Sequence, residues 1–211
     1  MGTPILIIGK SGSGKSASLR NFAKDEVGII NVLGKPLPFQ NSLKCFTTDS
    51  YETVTKLITN SKTNTIVIDD VGYLLTNMFM KGHSSTGSGN AVFSFYNEIA
   101  DRFWNLIQHV VKQLPSEKNV YFLMHEEQNE FGHIKPKTIG KLLDEKVCLE
   151  GMFTIVLRAV ISEGKHIFCT KSNGLDVAKT PIGMFESSEI DNDLKFVDET
   201  IRNYYGGANN E

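Results

Sequence analysis

The sequence predicts an α/β fold: a mostly parallel sheet with helices on both faces and a C-terminal β-hairpin. Three observations carry this. Short apolar runs at residues 3–8, 27–33, 65–68 and 120–124 alternate with segments of helical spacing, the order that builds parallel sheets from crossover units. The first run ends on a glycine and opens a glycine- and serine-rich turn ahead of a helical segment. Later in the chain, runs at 153–161 and 166–170 flank Glu163-Gly164-Lys165, a hairpin signature.

Pro4 aside, residues 3–8 are an apolar run and read as a buried parallel strand. Residues 16–24 follow as a helix with Leu19, Phe22 and Ala23 on one side, and 27–33 as a second strand. Gly34, Pro36 and Pro38 impose a loop. Residues 50–60 place Tyr51, Val54, Leu57 and Ile58 at helical spacing. The strand 65–68 closes on Asp69-Asp70, and 71–80 reads as a short helix. Residues 81–90 contain three glycines and three serines and no core-forming residue, which predicts a flexible loop. A long amphipathic helix over 91–114 carries Phe95, Ile99, Phe103, Ile107 and Val110 and is stopped by Pro115. The strand 120–124 ends at His125-Glu126-Glu127. A polar loop to Pro136 and a short helix near 139–145 come next. A last helix spans 191–205 and a frayed tail 206–211. No repeat or linker divides the chain, so one domain over 1–211 is expected.

Composition excludes several classes. The charged residues nearly balance, with 22 Lys and Arg against 24 Asp and Glu. Any nucleic-acid contact must therefore come from a local patch. Cys45, Cys148 and Cys169 form no CxxC pair, which argues against a disulfide framework or a zinc site and for a reducing compartment. No apolar run approaches the roughly 20 residues of a membrane span, and no leader-like segment opens the sequence. A soluble cytoplasmic protein with no membrane partner is expected, in the host cytoplasm if phage-encoded.

The sharpest signal is Gly9-Lys10-Ser11-Gly12-Ser13-Gly14-Lys15-Ser16, which fits the Walker A pattern. Glycines let backbone N–H groups curl around phosphates without side-chain clash. The helix that follows directs its N-terminal dipole at the same charge. In this pattern Lys15 reaches the β- and γ-phosphates and the Ser16 hydroxyl ligates magnesium, so the expected cofactors are ATP and Mg2+. The cradle runs from Gly9 to Ser16 and on to Ala17. A chance match in a chain this long is on the order of one in a hundred.

Thr65-Ile66-Val67-Ile68-Asp69-Asp70 is an apolar strand ending in carboxylates, the Walker B arrangement. Asp69 is the candidate magnesium partner. Asp70 is the candidate base for the attacking water, its alternative role being an N-cap for the next helix. The fourth strand ends at His125. Where a strand lies between the Walker A and Walker B strands, its end faces the γ-phosphate, and His125 would report ATP against ADP by hydrogen bond. The alternative is an ordinary loop histidine.

Five passages together resemble the RecA-like phage ATPases of the AAA-domain, ATP-binding group: 9–16, 65–70, 122–126, 136–143 and 171–181. Some of that group work beside single-strand annealing proteins in phage recombination. The resemblance implies a RecA-like P-loop NTPase core and ATP hydrolysis, DNA-stimulated or slow. It also implies homo-oligomers, single-stranded DNA binding, and an annealing or binding protein as partner. The implied DNA-facing loops are 81–90 and 126–141, the second carrying His133, Lys135, Lys137 and Lys141, with Phe131 as a stacking candidate. A solvated surface is the other reading of those lysines. A neighbour's basic residue reaches the γ-phosphate in such assemblies; Lys171 is the first candidate here and Lys179 the second.

Two departures qualify the resemblance. The glutamate that often follows the second strand is replaced by Asn31-Val32-Leu33-Gly34-Lys35. Asp70 or Glu126 then takes the base role, or hydrolysis is slow. RecA's N-terminal joining segment has no counterpart before Thr3, so core faces or the last helix would carry assembly. Two other functions stay open: a nucleotide-gated adaptor or helicase loader with weak turnover, and a small-molecule P-loop kinase. The kinase is disfavoured by only four arginines, Arg20, Arg102, Arg158 and Arg202, widely spaced.

Overall fold

The computed structural model describes residues 1–206 except Lys141 and the side chain of Asp144. Its strands are β1 (Thr3–Gly9), β2 (Val27–Asn31), β3 (Cys45–Thr47), β4 (Thr65–Asp69), β5 (Asn119–Gln128), β6 (Ile134–Pro136), β7 (Ile155–Ser162), β8 (Lys165–Cys169) and β9 (Glu189–Asp191). The α-helices are α1 (Tyr51–Thr59), α2 (Gly72–Gly82), α3 (Asn90–Gln113) and α4 (Leu194–Gly206). The sheet order is β3-β2-β4-β5-β1-β7-β8-β9, with β6 paired to β5. From β3 across to β7 every neighbouring pair is parallel; β8 and β9 continue the sheet antiparallel. This is a mostly parallel sheet flanked by helices, the layout of a P-loop NTPase core.

The two-residue period of β1 divides the core. Leu6 and Ile8 pack with α1, α2 and α3 through Val54, Leu74 and Phe103. Ile5 and Ile7 pack on the opposite face with Leu19, Leu194, Val197 and Ile201. A strand buried on both faces has no polar positions to alternate, which is why these runs read as continuously apolar. Ser50 caps α1, its hydroxyl accepting from the Thr53 N–H at 3.3 Å.

Several predicted boundaries shift for physical reasons. The helix expected over 16–24 is a six-residue 3-10 helix, Ser16–Asn21. Phe22 leaves helical backbone (φ −72, ψ 136) and its ring is buried. The flexible loop expected over 81–90 is partly helical: α2 runs to Gly82 and a 3-10 turn covers His83–Ser85. Phe79 stacks on His83 and on Tyr96, at 5.1 and 5.5 Å between centroids, tying the segment to α3. The fourth strand does not stop at Met124. β5 continues to Gln128 because β6 pairs with it antiparallel, so Glu126 to Lys135 is largely a ribbon. The helix near 139–145 is a π-type turn, Leu142–Lys146, closed by Val147 N–H to the Leu142 carbonyl at 3.0 Å. The last helix starts at Leu194 because 189–191 pair with β8. Between β7 and β8 the chain reverses through Glu163 and Gly164, at φ 50 and φ 76, the left-handed pair that a two-residue turn needs. Residues 207–211 of the expected tail lie outside the described residues.

One buried carboxylate fixes α4 to the sheet. Asp198 accepts from Asn119 and the Tyr121 hydroxyl, both at 2.8 Å, and from Thr65 at 2.6 Å. Arg202, one turn on, donates to it at 2.8 Å and to Thr65 at 3.0 Å. These residues sit on β4, β5 and α4, so the network clamps one end of the sheet. Asp198→Ala leaves a buried phenol and amide without their acceptor. It is expected to lower unfolding free energy by about 2–4 kcal/mol in a denaturant titration, with Asp198→Asn losing less.

Candidate nucleotide site

Parallel register assembles the site at one edge of the sheet. Gly9, the last residue of β1, lies opposite His125 of β5. β4 pairs with the other side of β5 through Ile68 opposite Phe122, which leaves Asp69 and Asp70 at the same edge. β5 therefore separates the Walker A strand from the Walker B strand, as the His125 reading requires.

The loop after β1 is shaped by what surrounds it. Gly12 and Gly14 take φ +77 and +101, conformations that suit glycine. A Cβ on Gly9 would collide with Ser13 Oγ and stand 2.6 Å from the Ala159 carbonyl oxygen. A Cβ on Gly14 would stand 2.9 Å from His166 Nδ1. The loop thus lies flat against β7 and β8, leaving its other side open.

Lys15 is buried, and its ammonium donates to the carbonyl oxygens of Gly9 at 2.8 Å and Lys10 at 2.9 Å. Burial lowers its pKa, opposed by the nearby charges of Asp70 and Asp69. The Ser16 hydroxyl donates to Asp69 Oδ1 at 2.8 Å. Burial raises the Asp69 pKa, and the Ser16 bond works against that shift. The two side chains expected at magnesium are thus in contact.

Asp70 has φ 58, backbone that a residue with a Cβ seldom adopts. Its carboxylate meets Lys35 Nζ at 2.7 Å and lies 3.6 Å from His125 Nε2. The N-cap of α2 is Val71, and no side chain caps that helix. The capping alternative for Asp70 is therefore removed. Lys35 has its pKa raised, chiefly by its bond to Asp70. Burial lowers the His125 pKa, and the Lys15 charge adds to this. The His125 ring meets Tyr73 edge-on at 5.9 Å.

These groups enclose a cavity of about 350 Å³ lined by Ser11, Gly12, Gly14, Lys15, Ser16, Ala17, Lys35, Pro36, Pro38, Asp69, Asp70, His125 and His166. Of the remaining cradle residues, Gly9 and Lys10 hold Lys15, and Ser13 is buried with no hydrogen-bond partner for its Oγ. Glycines without room for a Cβ, an inward ammonium and an orphaned hydroxyl fit a polyphosphate. The Ser16–Asp69 pair fits the magnesium that accompanies it.

Glu126 does not line this cavity. The ribbon continuation of β5 buries its carboxylate against Arg158, with contacts of 2.9 and 3.0 Å. Arg158 Nη1 also lies 3.5 Å from Asp176. Asp70 is left as the cavity-facing candidate base. Lys171 is exposed just after β8. Lys179 exchanges backbone hydrogen bonds with Val156, both 2.8 Å. Lys135 lies 3.4 Å from Glu127 across the ribbon, Lys137 is exposed, and Lys141 lies outside the described residues.

Sequence reading missed Lys35, Arg158 and His166 as members of this region. One signal was available: an arginine inside the apolar run 155–161 implies a buried acid to meet it. Lys35 and His166 gave no local signal, because their neighbours come from strand pairing.

Residues 1–182 match the family described as AAA domain. The chain belongs to the AAA domain family. The match spans the P-loop, the Walker B strand and the Lys171 to Pro181 segment, and makes this an ATP-binding P-loop NTPase core. No curated protein matches the chain. In this AAA domain β9 and α4 lie beyond the matched residues, yet Arg20 beside the P-loop bonds to Asn192 between them. No described helix is long and apolar enough to cross a membrane.

The glycines give a test that separates packing from backbone strain. Gly9→Ala is expected to destabilise by about 1–3 kcal/mol through overpacking against Ala159. Gly12→Ala meets nothing within 4 Å and is expected to lose only about 1 kcal/mol from its positive φ. Chemical denaturation of both variants checks the order.

Proposed function

We propose that this AAA domain is a RecA-like ATPase acting on single-stranded DNA in phage-type recombination or annealing. The observation that carries the ATPase reading is the convergence of Lys15, Ser16, Asp69, Asp70 and His125 on one cavity, with β5, which carries His125, between β1 and β4. Lys15 holds the phosphates, and Ser16 with Asp69 holds magnesium. Magnesium held there would neutralise phosphate charge. Asp70 accepts the proton of the attacking water, and His125 senses the terminal phosphate.

Support for the DNA reading comes from a second cavity of about 580 Å³ that shares Ser11 and His125 with the first. Tyr73 and Phe79 on α2 and Lys137 beyond β6 line it, a combination of aromatic faces and a cation suited to bases and phosphate. Glu126 and Lys137 to Ile139, from the second segment that the family resemblance assigns to DNA, also line it. Homo-oligomerisation would bring Lys171 of one copy toward the phosphates of the next, and an annealing or binding protein is the partner of this reading. A second reading, a nucleotide-gated adaptor with weak turnover, draws on the Lys35–Asp70 pair, which occupies the candidate base.

Lys15→Ala is expected to abolish turnover and sharply weaken ATP binding while the circular dichroism spectrum stays native. Unchanged affinity in a folded variant would remove the P-loop assignment. Asp70→Asn is expected to retain ATP without hydrolysing it, whereas a native rate would move the base elsewhere.

For DNA, changing Lys135, Lys137 and Lys141 together to alanine is expected to flatten the salt dependence of binding by about two units, at roughly 0.7 per phosphate contact. An unaltered slope would return these lysines to the solvated surface.

A further inference from the structure

The pairing of Lys35 with Asp70 places a cation where two anions compete for it. Lys35 Nζ lies 2.7 Å from Asp70 Oδ2 while its side chain stays 59% exposed, so the ammonium is held at the cavity mouth and not locked in the core. The turn that carries it is rigid. Asn31, at the end of β2, accepts from the Gly34 N–H at 2.8 Å and donates to the Lys35 carbonyl at 2.6 Å. Gly34 takes φ +67 to complete that turn. The backbone is thus fixed while the four-carbon stem of Lys35 remains able to swing. On the other side, Asp70 is held at φ 58 with His125 3.6 Å from its second oxygen. Lys35, Asp70 and His125 all line the phosphate cavity.

We propose that Lys35 is a switch acting in cis on Asp70, selective for a nucleoside triphosphate over a diphosphate. Without a γ-phosphate, Lys35 stays paired with the Asp70 carboxylate and blocks it from accepting a proton. A γ-phosphate, reaching past the β-phosphate and carrying more charge than one carboxylate, draws the ammonium away, so that Asp70 keeps only His125 beside it. The same motion that stabilises the triphosphate exposes the base, which makes Lys35 a positioning residue for Asp70. The inference rests on the nucleotide reading above and adds to it a cation supplied within the chain, distinct from Lys171 of a neighbouring copy.

The test is equilibrium binding of ATP and of ADP, each with magnesium, to the full chain and to Lys35→Met, Lys35→Arg and Asp70→Asn, with melting curves of each protein. Lys35→Met is expected to reduce the ATP-over-ADP preference on the order of tenfold, the weight of one charge-assisted hydrogen bond. Lys35→Arg is expected to keep most of that preference. Asp70→Asn is expected to increase it, because the competing carboxylate is gone. If Lys35→Met lowers ATP and ADP affinity equally, or alters melting and neither affinity, the pair is only structural and the switch is overturned. If the native chain binds neither nucleotide, the nucleotide reading itself falls and the switch with it.

Discussion

The hydrogen bond from Ser16 to Asp69 is the constraint on which the rest of the site depends. Its two residues follow β1 and end β4, strands that are not neighbours. With strands about 4.8 Å apart, the loop that carries Ser16 must reach about 10 Å across β5 to make the bond. The loop after Gly9 can do this only by arching back across the sheet edge. That arch brings Ser13, and the pairing of β1 with β7 brings Ala159, too close to Gly9 for any side chain there. It also leaves His125, opposite Gly9 on the bridged strand, among the cavity-lining residues.

The second consequence is electrostatic. Lys15, Asp69 and Asp70 are all buried, at 6%, 4% and 7% exposure. Burial pushes the Lys15 pKa down and the Asp69 pKa up, each against the opposing charge of the other. Burying any one alone would be strongly unfavourable; together they hold a fixed array of charges and dipoles. Lys35 and His125 extend the array around Asp70. Such preorganisation needs little rearrangement to meet new charge, the property that makes a buried polar cluster useful for chemistry.

The buried halves of the fold were legible in the sequence because their signals are local. Runs such as 65–68 are apolar for a strand's length, and Val54, Ile58, Ile99, Phe103 and Ile107 repeat at helical spacing. The P-loop and Asp69-Asp70 were legible for the same reason. What escaped depends on partners distant in sequence. β3 and β9 are three residues each and exist only through pairing with β2 and β8. The continuation of β5 through His125 and Glu126 rests on β6, three residues, too few to announce a strand. Lys35 looked like an ordinary loop residue until the parallel pairing of β2 with β4 set its turn beside Asp70.

The most direct measurement is a calorimetric titration of ATP into the native chain, once with magnesium and once with excess chelator. If Lys15, Ser16 and Asp69 form a magnesium–triphosphate site, ATP binds at a single site and binding weakens markedly when magnesium is removed. Absence of ATP binding, or binding indifferent to magnesium, would contradict the assignment of the cavity.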